Sequence, residues 1–127
     1  MRPILLLLLL AGPAPAQERI TPERFLDFAE DRVLDFSVPA TGALVGREQF
    51  VGRDRSLWAR TAEACVAGRV WVEDETVCFR YEDRPEIDWC WWPVIVEGRL
   101  HVMSTIDFEM QVVREAKGPP PCGTPMS

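Results

Sequence analysis

A single histidine, His101, in 127 residues leaves little scope for chemistry built on imidazole. No serine stands in a Gly-x-Ser-x-Gly elbow, since Ser56 and Ser104 lie in ordinary strand-like surroundings, so no nucleophilic triad is written into the chain. The four cysteines lack the paired close spacing of a zinc site. The longest apolar run, Ile4 to Ala11, is far shorter than the about 20 residues a bilayer-spanning helix needs. Positive charge is also scarce: 14 Lys and Arg face 20 Asp and Glu, a formal net charge of −6. An acidic chain repels nucleic acid and anionic membrane surfaces. The expectation is therefore no metal, no cofactor, no nucleic-acid partner and no stable membrane anchor.

What is there begins with "MRPILLLLLLAGPAPAQ". One positive residue, Arg2, precedes the apolar run, and small residues follow it, which is the layout of a secretory signal peptide. Ala14 and Ala16 supply the small-x-small pattern read by signal peptidase, so residues 1–16 are expected to be removed and Gln17 to become the terminus. The remainder suffices for one modest core, expected as a single β domain over 17–118 with a Pro-rich tail over 119–127. Export places Cys65, Cys78, Cys90 and Cys122 in an oxidising compartment, periplasmic or extracellular, where an even number reads as two disulfides.

In "ITPERFLDFAED" Thr21 suits a helix cap and Pro22 its first turn. Ile20 is placed to pack against Phe25, and Phe25, Phe28 and Ala29 share a face. From Arg32 the apolar period falls to two. Segments from "VLDFSV" through "ALVGREQFVG", "SLWAR", "CVAGRVWVED", "TVCFRYED", "DWCWWPVIVEG" and "RLHVMSTID" to "FEMQVVRE" read as eight short strands separated by turn residues. The fold class is all-β: an antiparallel meander, curled into a small barrel or a strongly bent sheet because open edges are costly, with the one short N-terminal helix over an opening. On this plan Cys78 and Cys90 lie on consecutive strands and are expected to pair, which leaves Cys65 for Cys122. The rival is Cys65 with Cys78, whose strands also form a hairpin.

The succession "GREQF", "LWA", Cys65 with "GRVW" behind it, "VCFRYED" and "CWW" resembles a group of small exported alphaproteobacterial proteins of unknown function. In that group a Gly-x-Glu-Gln-Tyr/Phe segment, a Cys-x-x-Gly-x-Trp-like segment, an Ile/Val-Cys-Phe-x-Tyr-Glu strand and a Cys-Trp strand recur in this order. The resemblance spans about residues 24 to 102 and implies a compact all-β secreted domain with a glutamate at position 48. Trp71 stands further from Cys65 than the pattern has it.

Candidate site residues are few. If its strand is regular, Glu48 shares a face with Leu44, Gly46 and Phe50. An inward carboxylate must find a partner or take a proton, and arginines such as Arg69 or Arg80 are the expected partners. In "DWCWWP" Trp89 and Trp91 point one way and Cys90 and Trp92 the other, so the three indoles cannot form one platform. Trp91 is expected inside with Phe79 and Tyr81, leaving Trp89 or Trp92 near the rim, with at most one tryptophan free for a ligand. The candidate ligand-binding residues are thus Glu48, Trp89, Trp92 and His101, with no catalytic residue. The expected function is a non-enzymatic exported β domain that binds a small ligand or a basic protein partner in the cell envelope. The alternatives are a small secreted hydrolase using Glu48 or His101, and a purely structural envelope protein. The signal-peptide reading is checked by intact mass of the exported form: a chain starting at Gln17 is expected, and retention of residues 1–16 in a membrane fraction would overturn it.

Overall fold

In a computed structural model the described residues are 3–4, 17–60, 65–118 and 122. The expected cleavage site after Ala16 and the tail over 119–127, Cys122 apart, lie outside them. Among the described residues no helix is long and apolar enough to cross a membrane.

The described residues form nine strands and one helix: β1 (Gln17–Arg19), α1 (Pro22–Ala29), β2 (Val33–Ser37), β3 (Leu44–Val51), β4 (Arg55–Arg60), β5 (Val66–Glu73), β6 (Thr76–Tyr81), β7 (Trp89–Val96), β8 (Arg99–Ser104) and β9 (Met110–Glu115). Strands β2 to β9 are the eight expected from the period-two pattern. Each pairs antiparallel with the next, and β9 returns to β2 through Leu34↔Glu115 to Ser37↔Val112. The meander therefore closes into an eight-stranded barrel, which removes the edges an open sheet would expose.

β1 has no signature in the sequence, because its three residues are polar and exposed. Its place follows from a mismatch of lengths. β6 pairs with only the first part of β7, Val77↔Trp91 to Phe79↔Trp89, and β1 takes the remaining edge, Arg19↔Val94 to Gln17↔Val96. Pro93 falls at the junction, where its missing N–H costs no ladder bond, and its carbonyl accepts from the Ile20 N–H at 3.1 Å.

The helix forms as its sequence dictates. The Thr21 hydroxyl accepts from the Arg24 N–H at 3.1 Å, Pro22 opens the first turn, and Phe25, Leu26 and Ala29 are buried. Phe25 packs edge-on against Phe50, with ring centres 6.2 Å apart, and so closes one end of the barrel. Charges fasten this end on the outside: Arg53, in the turn between β3 and β4, reaches Asp27 at 2.7 Å and Glu30 at 3.5 Å, and the Asp31 carboxylate accepts from the Gly52 N–H. The core above the helix is Leu34, Phe36, Phe50, Val70, Val77, Phe79, Val102 and Val113, one or two residues from each of six barrel strands.

Both expected disulfides are present, Cys78–Cys90 and Cys65–Cys122. Cys78 and Cys90 are directly opposite on β6 and β7 with Cα atoms 4.0 Å apart, so register alone brings the sulfurs together. Cys65, at the mouth of β5, holds Cys122 beyond β9 across a separation of 57 residues. In the loop-entropy picture the longer bridge contributes about 4 kcal/mol and the shorter about 3 kcal/mol. The double variant Cys65→Ser/Cys122→Ser is therefore expected to lose the larger share by this route. Urea unfolding curves measure it, and an unchanged midpoint would show that the tail bridge constrains nothing.

Candidate active cavity

Alternation along the strands sends Phe36, Glu48, Trp58, Phe79, Tyr81, Trp89 and Trp91 inward. The half of the barrel nearest the helix is filled. In the other half Trp58, Tyr81, Trp89 and Trp91 face inward and yet are only half-buried, because they front a cavity of about 340 Å³. Its floor is Phe25, Val77 and Val102, and its mouth carries Arg60, Asp83, Arg84 and Glu109, all exposed.

Large rings line this half without filling it because two glycines let them lie against the wall. A Cβ on Gly46 would stand 2.4 Å from the Trp58 indole and 2.8 Å from the Ala59 carbonyl oxygen. A Cβ on Gly68 would stand 2.9 Å from the Tyr81 ring and from Ser56 Oγ. The rings then contact one another: Phe36 meets Trp58 edge-on at 5.9 Å, Trp58 is tilted toward Tyr81 at 6.4 Å, and Tyr81 stacks on Phe79 at 6.2 Å.

Glu48 lies in this wall, 1% exposed. Its inward direction agrees with the sequence pattern, but the expected arginine partner does not. Arg69 is exposed on the outer face, and Arg80 is bound outside to Asp88 at 2.7 Å. The partner is instead the Tyr81 hydroxyl, which donates to Glu48 Oε1 at 2.7 Å. Glu48 Oε2 and Ser56 Oγ have no hydrogen-bond partner. Burial without a counter-charge pushes the Glu48 carboxyl up to about 8, against smaller opposite pulls from Tyr81 and from the nearby Ser56 hydroxyl. Desolvation, reinforced by the Glu48 carboxylate, raises the Tyr81 phenol well above its usual range. At neutral pH the pair is a neutral acid and a neutral phenol. With Oε1 occupied by Tyr81, the acid's remaining hydrogen-bonding capacity is at Oε2.

Of the four candidate ligand residues, the cavity unites Glu48 and Trp89. His101 lies on the outer side of the wall between Val94 and Val112, buried, with Nδ1 2.9 Å from the Arg99 carbonyl oxygen. Glu48 and His101 thus occupy opposite faces of the barrel wall. Trp92 is also outside, stacked on Phe108 at 6.1 Å with the Arg19 guanidinium 4.8 Å from its ring centre. The expectation of at most one tryptophan facing a ligand is corrected: Trp58, Trp89 and Trp91 all line the cavity. Trp58 was not distinguishable from a core residue, since its exposure depends on how Gly46 seats it. Glu73, Cys78 and Cys90 cluster on the outer side, but both sulfurs are consumed in a disulfide and offer no thiolate for a metal.

Compared with protein-family models, curated proteins and solved structures, the chain matches none.

The raised pKa of Glu48 makes stability depend on pH. An unfolded glutamate ionises near 4.5, whereas Glu48 in the fold holds its proton to about 8. The folded state binds more protons across that window, so stability is full below pH 4.5 and falls as pH rises to 8, by at most roughly 5 kcal/mol. Replacing Glu48 by Gln removes the dependence. Melting curves at pH 4.5 and pH 8.5 are expected to show the variant gaining on the parent at the higher pH, and parallel pH profiles would place Glu48 in contact with water.

Proposed function

We propose that the protein is a non-enzymatic binding module of the cell envelope, exported by its leader, that holds one small, largely apolar ligand inside the barrel. The observation that carries this reading is the aromatic cavity of about 340 Å³, open at one end and closed by α1 at the other. Its size is at the lower end of ligand sites, and its make-up is theirs: apolar walls with a few polar groups that fix orientation. Eight strands make a barrel just wide enough either to be filled or to hold one ligand. Here the glycine-seated rings leave the second outcome.

Two disulfides support the exported half of the reading, since such bonds persist where the medium is oxidising. The alternative, a small hydrolase using Glu48 or His101, would have to rely on one of the two alone, because they lie on opposite faces of the wall.

Tryptophan emission tests the binding reading directly. N-phenyl-1-naphthylamine, a neutral probe that brightens in apolar surroundings and absorbs indole emission, is expected to bind one-to-one with saturable quenching. Trp91→Ala, which removes one wall, is expected to weaken the probe about tenfold. A probe signal that rises linearly without saturation, in a folded parent protein, would falsify the reading.

A further inference from the structure

We infer that the ligand is a neutral, planar bicycle with a lactam edge, its rings held by Trp58, Trp89 and Trp91 and its adjacent N–H and C=O paired with the side-chain amide of Gln111. This rests on the cavity being a ligand site and names the chemistry that site selects.

The first support is Gln111, on β9. It stands opposite Val102 and two residues from Val113, both members of the core, so its side chain is on the inner face, and it lines the cavity. Only 7% of the residue is exposed. Among the described residues the buried polar side-chain atoms without a partner are Glu48 Oε2, Gln49 Oε1 and Ser56 Oγ. The Gln111 amide has no partner among the described residues either and yet is not one of these sealed groups, so its atoms keep accessible surface. On an inward residue that lines the cavity, that surface belongs to the cavity.

The other inward polar groups are spent or closed off. The Tyr81 hydroxyl donates to Glu48 Oε1, Ser104 Oγ accepts from the Ile106 N–H, and Glu48 Oε2 and Ser56 Oγ lie sealed within the wall. Below the charged mouth, and indole N–H groups apart, Gln111 is the polar side chain a ligand can address.

An amide of this kind presents donors on one side and an acceptor on the other, in one plane. The group that satisfies both sides at once carries an acceptor and a donor next to each other, which is how a glutamine reads the edge of a base. A lactam in a six-membered ring is held cis and has its N–H and C=O on the same side. An open-chain secondary amide is trans and turns them apart.

The second support is the walls, which are independent of Gln111. Trp58, Trp89 and Trp91 line the same space while only half-buried. Indoles favour offset or edge contacts with other flat rings, and stacking on aromatic side chains combined with hydrogen bonds to one edge is the means by which pockets hold a single base. A volume of about 340 Å³ admits two fused rings.

Other ligand classes fit less well. A hydrocarbon would cover the Gln111 amide and leave it without donor or acceptor. A sugar brings more hydroxyls than one amide and the indole N–H groups can partner. A charged ligand meets no counter-charge inside, and at the mouth Arg60 and Arg84 are matched by Asp83 and Glu109.

The test uses the exported chain with both disulfides intact and three probes of nearly one shape: isoquinolin-1-one, which carries the lactam edge, its N-methyl derivative, which lacks the N–H, and naphthalene, which lacks the edge altogether. Titration calorimetry reads the three affinities. The parent is expected to bind isoquinolin-1-one about tenfold more tightly than either comparison probe. In Gln111→Leu that preference is expected to vanish, with naphthalene bound at least as well as by the parent. A parent that binds either comparison probe as tightly as the lactam, or that binds none of the three, overturns the inference, and saturable binding of N-phenyl-1-naphthylamine then leaves the cavity reading standing. A lactam preference that survives in Gln111→Leu also overturns it. Failure of all four compounds overturns both readings. The first comparison is read on the parent protein, so the outcome does not depend on the variant folding.

Discussion

The pairing of β9 with β2 is the constraint on which the rest depends. Without it the meander would end in two unpaired edges, and the inward residues would face water. With it, eight strands fix a barrel of limited width, and the sequence then decides how that width is used. Near the helix it is used for packing, with Phe25, Phe50 and Phe79 meeting edge-on. At the other end Tyr81 stands opposite Gly68 and Trp58 lies over Gly46, so the volume of these two rings goes into the wall. The same closure explains β1: β7 outruns β6, and a closed barrel still leaves that overhanging edge to be paired.

Most of the architecture was legible because period two is a local property. Residues two apart share a face, so the eight barrel strands, the inward direction of Glu48, and the division of Trp89 and Trp91 from Cys90 and Trp92 could be read from order alone. The disulfides were legible for a related reason, since consecutive strands of a meander pair and Cys78 and Cys90 fall at matching positions. β1 was not, because three polar, exposed residues offer no apolar alternation to read. The Glu48 partner was not either. Tyr81 is 33 residues away and reaches the carboxyl across the barrel interior, past the intervening β4 and β5. An arginine seemed required only because Coulomb attraction is the usual means of keeping an acid buried. Keeping the acid neutral is the other means, and it is the one found. Nor does order disclose a cavity: hollow and filled barrels share one pattern, and the difference here turns on the seating of Trp58 by Gly46 and of Tyr81 by Gly68.

A buried neutral carboxyl with one oxygen open is a poor way to hold a barrel together. An apolar side chain of similar volume at position 48 would pack against Leu34 and Trp58 with no desolvation cost and no pH dependence. The surrounding residues otherwise agree on every level: alternation, closure, helix cap and cross-strand bridges all favour one structure. A local choice that opposes stability within an otherwise consistent sequence marks a place where something besides folding has set the residue. Tyr81 lessens the cost by satisfying Oε1, and its position over Gly68 gives the pair a fixed geometry. Tyr81 leaves Oε2 without a partner, buried within the wall of the half that carries the aromatic cavity. The cost of the buried acid therefore falls in the same half of the barrel that its aromatic side chains line without filling.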